Sequence, residues 1–316
     1  MKKLFKRKAI FLALVIFLLP VFLFGGCKST SFISKFSKNI NEYNIVASID
    51  CEQKNLEIKQ TTKYINNSEN NLNEVHFHIY PKAFSEGVVN KPVSTLNEQK
   101  AYNNGVNYGN VEINLVKVNN EEVTPEYKNA DNDILVVRLS NELLPKSSVE
   151  IYFEYTLTLP NINHRYGYGE NTINLGNFYL ISSVYENDKG WFDNSYHYNG
   201  DPFYSEMSNY NVKVNVSKNY TLASTGKIKK IIEQDDENVY EIQALAVRDF
   251  ALILSDKFIK LSSNYNNINV NYFYYSDSTP NTSLQACIDS LKTYINLFGE
   301  YPYTELNVCE SNFVYG

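Results

Sequence analysis

Between Tyr43 and Tyr275 apolar and polar residues alternate in short runs. The pattern first occupies Tyr43–Cys51, Leu56–Tyr64, Glu74–Tyr80, Val111–Val118, Ile134–Leu139 and Val149–Leu159. After a glycine-rich turn at Tyr166–Gly169 it resumes at Asn177–Val184, Tyr210–Val216, Tyr220–Ser224, Lys227–Ile232, Val239–Ile242, Phe250–Leu254 and Ile268–Tyr275. Side chains that alternate with period two, in runs bounded by Asn, Asp, Gly and Pro, predict antiparallel sheets with one buried face. No helical period of useful length precedes residue 280. From Pro280 onward Leu284, Cys287, Ile288, Leu291, Tyr294, Ile295 and Phe298 form a stripe at helical spacing. Asn281 or Thr282 is the expected N-cap, and Gly299 the stop. An apolar strand is expected from near Leu306. The change of period places a domain boundary at about residue 262, between a long β region and a part that contains a helix.

The N-terminus reads differently. Lys2, Lys3, Lys6, Arg7 and Lys8 precede the apolar run Ala9–Phe24, which contains Pro20 and ends in Gly25, Gly26 and Cys27. A basic stretch, a short apolar core and small residues make a secretory signal, shorter than the roughly 20 residues a spanning helix prefers. Phe24-Gly25-Gly26-Cys27 resembles the lipobox of bacterial lipoproteins. The resemblance implies cleavage after residue 26, lipidation of Cys27 and firm membrane anchoring by more than one acyl chain. An uncleaved anchor helix is the alternative, and both place the remaining chain outside the cytoplasm. Residues 27–42 then form a Ser- and Lys-rich flexible tether.

Loss of residues 1–26 leaves 24 basic against 35 acidic side chains. An acidic chain of this kind argues against nucleic acid as a partner. Three cysteines remain, Cys51, Cys287 and Cys309. Their number is odd and their spacing gives neither a disulfide framework nor a Cys-x-x-Cys metal knuckle. Cys309 reads as a small core residue. There is no Gly-x-Ser-x-Gly elbow.

Among the four histidines, His76 and His78 flank Phe77 on a strand and share the face opposite Val75, Phe77 and Ile79. Two imidazoles on one face could hold a metal. No third ligand accompanies them at suitable spacing, so a polar outer face is the preferred reading. His164 and His197 are expected to hydrogen-bond within loops. The aromatic and Asn clusters Tyr265–Asn271 and Tyr272–Tyr275 could mark a carbohydrate or peptide surface, but half-buried strands favour aromatics without any ligand.

Four segments, in order, resemble the aminopeptidase N family of zinc metallopeptidases, peptidase family M1. They are Asn73–Phe84, Asp201–Gly226, Val247–Phe258 and Phe298–Gly316. The segments Arg165–Tyr168 and Gly176–Tyr179, followed by Gly190-Trp191, are similar to a bacterial branch of that family. The resemblance implies a mainly β fold: a large antiparallel β-saddle over residues 43–262, then the first strand and helix of an α+β thermolysin-like catalytic domain over 263–316. It also implies that Gly316 aligns with the start of a Gly-x-Met-Glu segment. The His-Glu-x-x-His helix of the family would follow, with two imidazoles at i and i+4 on one zinc and the Glu as general base.

On that reading the chain is the N-terminal part of a lipid-anchored, extracytoplasmic peptidase cut short before its zinc motif. No catalytic or metal-binding residue is then expected here and the chain alone is expected to be inactive, with zinc and peptide substrates belonging to the full-length relative. In related exopeptidases an acidic or amide side chain from an N-terminal-domain loop binds the substrate's free amine. The equivalent stretch Ile181–Glu186 lacks the family's Gln-x-Glu or Gln-x-Gln pattern, which leaves Glu186 as the candidate against the alternative of an ordinary exposed loop acid. A non-catalytic surface lipoprotein, in which the saddle acts alone as a binding module, is the second functional class.

Overall fold

A computed structural model describes residues 32–199 and 203–313. The leader over 1–26, the lipidation candidate Cys27 and the terminal Gly316 lie outside those residues. The strands run Glu42–Asp50 (β1), Asn55–Ile65 (β2), Leu72–His78 (β3), Asn110–Val118 (β4), Glu121–Glu122 (β5), Glu126–Lys128 (β6) and Ile134–Leu143 (β7). They continue with Ser148–Thr158 (β8), Tyr166–Tyr168 (β9), Ile173–Gly176 (β10), Ile181–Ser182 (β11), Tyr185–Glu186 (β12), Gly190–Trp191 (β13) and Ser208–Ser217 (β14). The last are Thr221–Ser224 (β15), Lys227–Glu233 (β16), Glu237–Val247 (β17), Ala251–Ser255 (β18), Ile259–Tyr265 (β19), Ile268–Tyr274 (β20) and Glu305–Cys309 (β21). Helices cover Phe32–Phe36 (α1), Glu98–Ala101 (α2) and Pro280–Phe298 (α3), with a 3-10 turn at Tyr80–Phe84.

The largest sheet has eight strands in the order β16-β17-β14-β1-β2-β8-β4-β5. All its neighbours are antiparallel except β1 and β14, which run parallel. Along β1 the burial alternates as the sequence predicts: Tyr43, Ile45, Ala47 and Ile49 point inward and Asn44, Val46 and Ser48 outward. Two four-stranded sheets, β15-β18-β10-β9 and β11-β3-β7-β6, contribute to the same core. That core joins Phe153 of β8, Phe77 of β3, Leu175 of β10 and Leu252 of β18 in one buried cluster. Phe77 meets Phe153 edge to face with ring centroids 4.8 Å apart. Full burial of one such side chain contributes about 1.5–3 kcal/mol.

The mainly β fold agrees with the sequence reading, and several details differ. The run Asn177–Val184 is not one strand. Asn177 adopts a left-handed φ of 54° and ends β10, and Phe178, Tyr179 and Leu180 are all buried without alternation before β11 begins. Residue 262 lies inside β19, which pairs along its whole length with β20. β19 leaves only a weak periodic trace because it is an edge strand of a small sheet, rich in Ser and Asn, with its residues exposed or half-buried. The tether is held at its end: Asn41 is 1% exposed, and its Oδ1 accepts from the Ile65 amide at 2.9 Å.

The sheet β19-β20-β21 has α3 packed on it. β20 and β21 are parallel and α3 connects them, as a parallel pair requires a long crossover. Leu284, Ile288 and Leu291 bury the inner face of α3, whereas Tyr294 and Phe298 are exposed, so the apolar stripe is narrower than expected. The helix begins at Pro280, which suits the first helical position because it lacks an N–H. Thr279 precedes it without a side-chain cap bond. Asp277 takes the anionic place near the helix start, accepting from the Thr279 amide at 2.7 Å and the Ser283 hydroxyl at 2.5 Å. Gly299, at φ 98°, closes the helix as expected. Among the described residues no helix is long and apolar enough to cross a membrane.

The β19-β20-β21 sheet meets the β region through an apolar cluster of Ala223, Phe258 and Phe273 and through hydrogen bonds. The Tyr303 hydroxyl donates to the Ala246 carbonyl at 2.7 Å, and Asn307 Nδ2 to the Ser224 carbonyl at 2.8 Å. Gly226 links β15 to β16 at φ +81°, and a Cβ there would stand 2.5 Å from the Gln243 carbonyl oxygen and 2.6 Å from the Ala244 Cβ. Gly226→Ala therefore meets both a left-handed backbone and a fixed neighbour, and is expected to lower stability by more than about 2 kcal/mol. A urea unfolding midpoint unchanged by the substitution would contradict that close approach.

Candidate functional site

The chain's one tryptophan, two of its histidines and a group of carboxylates gather where β3 meets the β12–β13 hairpin. Gly190 turns that hairpin at φ 78°. Pairing of Tyr185 with Trp191 sets the Trp191 ring edge-on to Tyr185 at 5.1 Å. The same indole stacks on His76 with centroids 4.6 Å apart and an interplanar angle of 19°.

His76 is fully buried. Its Nδ1 lies 2.8 Å from Asp193 Oδ2 and its Nε2 2.9 Å from Glu74 Oε1. Arg138 extends the network: its Nε donates to Glu126 Oε1 at 3.1 Å, and a second guanidinium nitrogen contacts Glu74 closely. Asp193 also accepts from the Ser183 hydroxyl at 3.1 Å. Burial alone would raise the Asp193 carboxyl, but the His76 bond and charge, together with Lys128 and Ser183, outweigh it and hold the group below its usual range.

His78, 3% exposed, stacks on Tyr80 at 4.8 Å, and its Nε2 lies 3.0 Å from the Phe192 carbonyl. The polar outer face expected for His76 and His78 is thus not exposed. The hairpin and the following loop cover it, and both faces of β3 are buried from Val75 onward. Two buried imidazoles next to acids would look like a metal site, yet both His76 nitrogens already face carboxylates. Among the described residues no three His, Cys, Asp or Glu side chains are placed to hold a metal ion, so this chain's described residues do not fit a zinc site. His197 Nδ1 accepts from the Asn199 amide at 3.0 Å within an exposed loop, and His164 is buried between Phe84 and Phe313.

Glu186 stands on the same hairpin, at the surface. Its Oε2 lies 2.9 Å from Lys189 Nζ and its Oε1 accepts from the Tyr204 hydroxyl at 3.2 Å. The Lys189 bond holds its carboxyl below the usual range. An ionised acid in this position could receive a cationic group by exchanging Lys189. Exposed pairs add little to a fold, so Glu186→Gln is expected to leave the thermal midpoint unchanged.

Sequence reasoning missed Glu206, two residues beyond Tyr204. Its Oε2 accepts from Asn41 Nδ2 at 3.3 Å. Burial raises its carboxyl above the usual range, against the opposing charge of Arg248. The folded state therefore binds this proton more tightly than the unfolded chain, and the stability this gives is lost as pH rises past the raised value. Glu206→Gln is expected to raise the thermal midpoint at pH 8 and to leave it unchanged at pH 4. An equal effect at both pH values would show that the gain is not ionisation.

The buried aromatic groups explain themselves as core. Tyr272 and Phe273 are 8% and 3% exposed and support α3 and β21, not a carbohydrate surface. Cys51, Cys287 and Cys309 are free thiols. Cys309 is half-buried against the Ala223, Phe258 and Phe273 cluster, and burial pushes its thiol up to about 12.

No family model matches the sequence, and no curated protein matches it. Solved structures do match the fold. The crystal structure of the M1 zinc metallopeptidase from Deinococcus radiodurans aligns with a TM-score of 0.55 at 12% identity, covering 85% of this chain and 56% of that one. A mutant of that enzyme gives 0.55 at 11% identity, and the mutant bound to a Tyr-ser-ala substrate gives 0.54 at 10%, both with the same coverage. This chain thus spans 56% of the length of those structures, and its mainly β fold resembles the N-terminal region of M1 zinc metallopeptidases.

Proposed function

We infer that this chain forms the N-terminal region of a membrane-anchored, extracytoplasmic zinc metallopeptidase that hydrolyses peptides in the manner of an aminopeptidase. The observation that carries the reading is that the structural likeness spans 85% of the chain, more than the β region alone would cover. Four sequence segments in the family's order support it independently. In this reading residues 1–26 are removed as a leader, Cys27 carries the lipid, the β region reaches to about residue 258, and β19–β21 with α3 open the catalytic domain. Zinc would be bound by the full-length relative's His-Glu-x-x-His helix and supply a metal-activated water. The β region would contribute the wall beside that site, with Glu186 as the candidate contact for a substrate ammonium.

The test is the reading frame downstream of the Gly316 codon and the protein made from it. A Gly-x-Met-Glu segment and His-Glu-x-x-His in frame, with stoichiometric zinc and chelator-sensitive cleavage of aminoacyl substrates, are expected. A continuous frame without those motifs would overturn the proposal.

A further inference from the structure

We propose that the outer face of the eight-stranded sheet binds an extended anionic polysaccharide. Strand register places Lys227, Gln243, Asn211, Asn44, Thr61, Tyr152 and Lys117 in one row across seven strands, from β16 to β4. The adjacent row reads Lys230, Glu241, Lys213, Val46, Lys59 and Glu154. A shallow groove of about 570 Å³ lies over the middle of both rows, with Lys229 from the β16 bulge at its side.

Three features of this face go together. Its middle is an amide relay: Gln243 Nε2 donates to Asn211 Oδ1 at 3.1 Å, Asn211 Nδ2 to Asn44 Oδ1 at 3.0 Å, and Asn44 Nδ2 to Glu42 Oε1 at 3.0 Å. The relay fixes the amide planes while using only part of their capacity, because each amide has two donors and two acceptor lone pairs. A sugar hydroxyl, itself donor and acceptor, complements that mixture.

The charge on the two rows, their bulge and the end of the relay is basic, six lysines against Glu42, Glu154 and Glu241, on a chain of formal net charge −6. The three acids are already engaged, Glu42 by Asn44 Nδ2 at 3.0 Å, Glu154 by the Tyr152 hydroxyl at 2.5 Å and Glu241 by Lys213 at 3.4 Å. Anionic groups are therefore favoured here although the molecule as a whole repels them.

The third feature is spacing. Neighbouring strands lie about 4.8 Å apart, so a chain molecule laid across them meets one polar side chain per strand, a repeat suited to one extended sugar unit after another. The acidic groups of such a glycan, whether carboxylate or phosphate, would sit on the lysines and its hydroxyls on the amides. The inference does not depend on the peptidase reading, since none of these residues lies on β19–β21 or the hairpin bearing Glu186.

The test is native gel electrophoresis of the full chain through gels containing polygalacturonate, phosphorylated dextran, neutral dextran or single-stranded DNA. Retardation by at least one charged glycan, weakening with salt, and none by dextran is expected, and the two charged arms tell carboxylate from phosphate. Lys59→Gln with Lys213→Gln should weaken binding at least fivefold. Asn211→Ala with Gln243→Ala, which leaves the charge unchanged, should weaken it at least threefold. Lys59 and Lys213 are exposed and Asn211 and Gln243 half-buried on the outer face, and an unchanged thermal midpoint verifies folding. No retardation by either charged glycan overturns the proposal. So does equal retardation by DNA with the amide variant unaffected, which would mean a surface for polyanions in general.

Discussion

Lowering the pH from 8 to 5 is expected to cost the fold about 2 kcal/mol through His164 alone. The imidazole is 3% exposed, between the rings of Phe84 at 5.3 Å and Phe313 at 5.5 Å. Burial, and then the charge of neighbouring Arg165, pushes its pKa down to about 3. An unfolded chain takes up that proton near pH 6.5, whereas the folded chain keeps the ring neutral. Below pH 6.5 the unfolded state therefore binds more protons, and stability falls with pH until the folded value is reached. His78 acts in the same direction, its pKa lowered by burial despite its bond to the Phe192 carbonyl. Urea midpoints at pH 8 and pH 5 measure the total, to which carboxylates also contribute. His164→Leu isolates one share: its loss between the two pH values should be smaller than that of the wild type by about 2 kcal/mol. A variant that loses as much as the wild type would mean that His164 is protonated in the folded protein.

Gln60→Met is expected to destabilise the protein by about 3–5 kcal/mol. Gln60 has no exposed surface, and all four of its hydrogen-bonding sites are used. Its Oε1 accepts from the Tyr155 hydroxyl at 2.8 Å and the Leu180 amide at 3.1 Å. Its Nε2 donates to the Leu180 carbonyl at 2.7 Å and the Thr62 hydroxyl at 2.9 Å. This one side chain ties the irregular segment before β11 to the middle of the large sheet. Methionine keeps the approximate volume but strands the Leu180 backbone groups and the Tyr155 hydroxyl in a buried site, each loss costing about 1–3 kcal/mol. Adding Tyr155→Phe to Gln60→Met should cost less than the sum of the two single changes, because the hydroxyl is already unpartnered. A loss below about 1 kcal/mol for Gln60→Met would mean that water or a backbone shift replaces the amide.

Gln60 also shows where the sequence was readable and where it was not. The alternation Leu56, Ile58, Tyr64 sets the inward face of β2, and the strand is where the pattern puts it. Gln60 and Thr62 occupy inward positions of that same face, so their polarity is a visible exception, but their partner 120 residues away is not visible. The same holds for His76. Its place on β3 follows from period two, while its burial depends on Trp191 and Asp193, brought in by a hairpin too short to leave a periodic trace. The α3 helix was legible because three turns of apolar spacing and Gly299 reinforce one another. Its neighbour β19 was not, because only Leu261 and Tyr265 of that edge strand pack against the α3 cluster and Ser263 between them breaks the apolar alternation. Glu186 could be nominated only through a family resemblance, and the geometry adds its surface position and its bond to Lys189.

The parallel pairing of β1 with β14 has a consequence for how the molecule is made. Asn44 and Asn211, neighbours in the sheet, are 167 residues apart in the chain. β1 separates β2-β8-β4 from β14-β17-β16, so neither half of the sheet is closed until a loop of that length has formed. Such non-local pairing delays folding toward milliseconds to seconds, and during synthesis β1 waits with one edge open while the next 160 residues emerge. A chain exported in an unfolded state would meet the same delay on the far side of the membrane. There the time needed to join β1 to β14, not the stability of either half, would set how long the unfinished sheet is exposed to proteases and to other copies of itself.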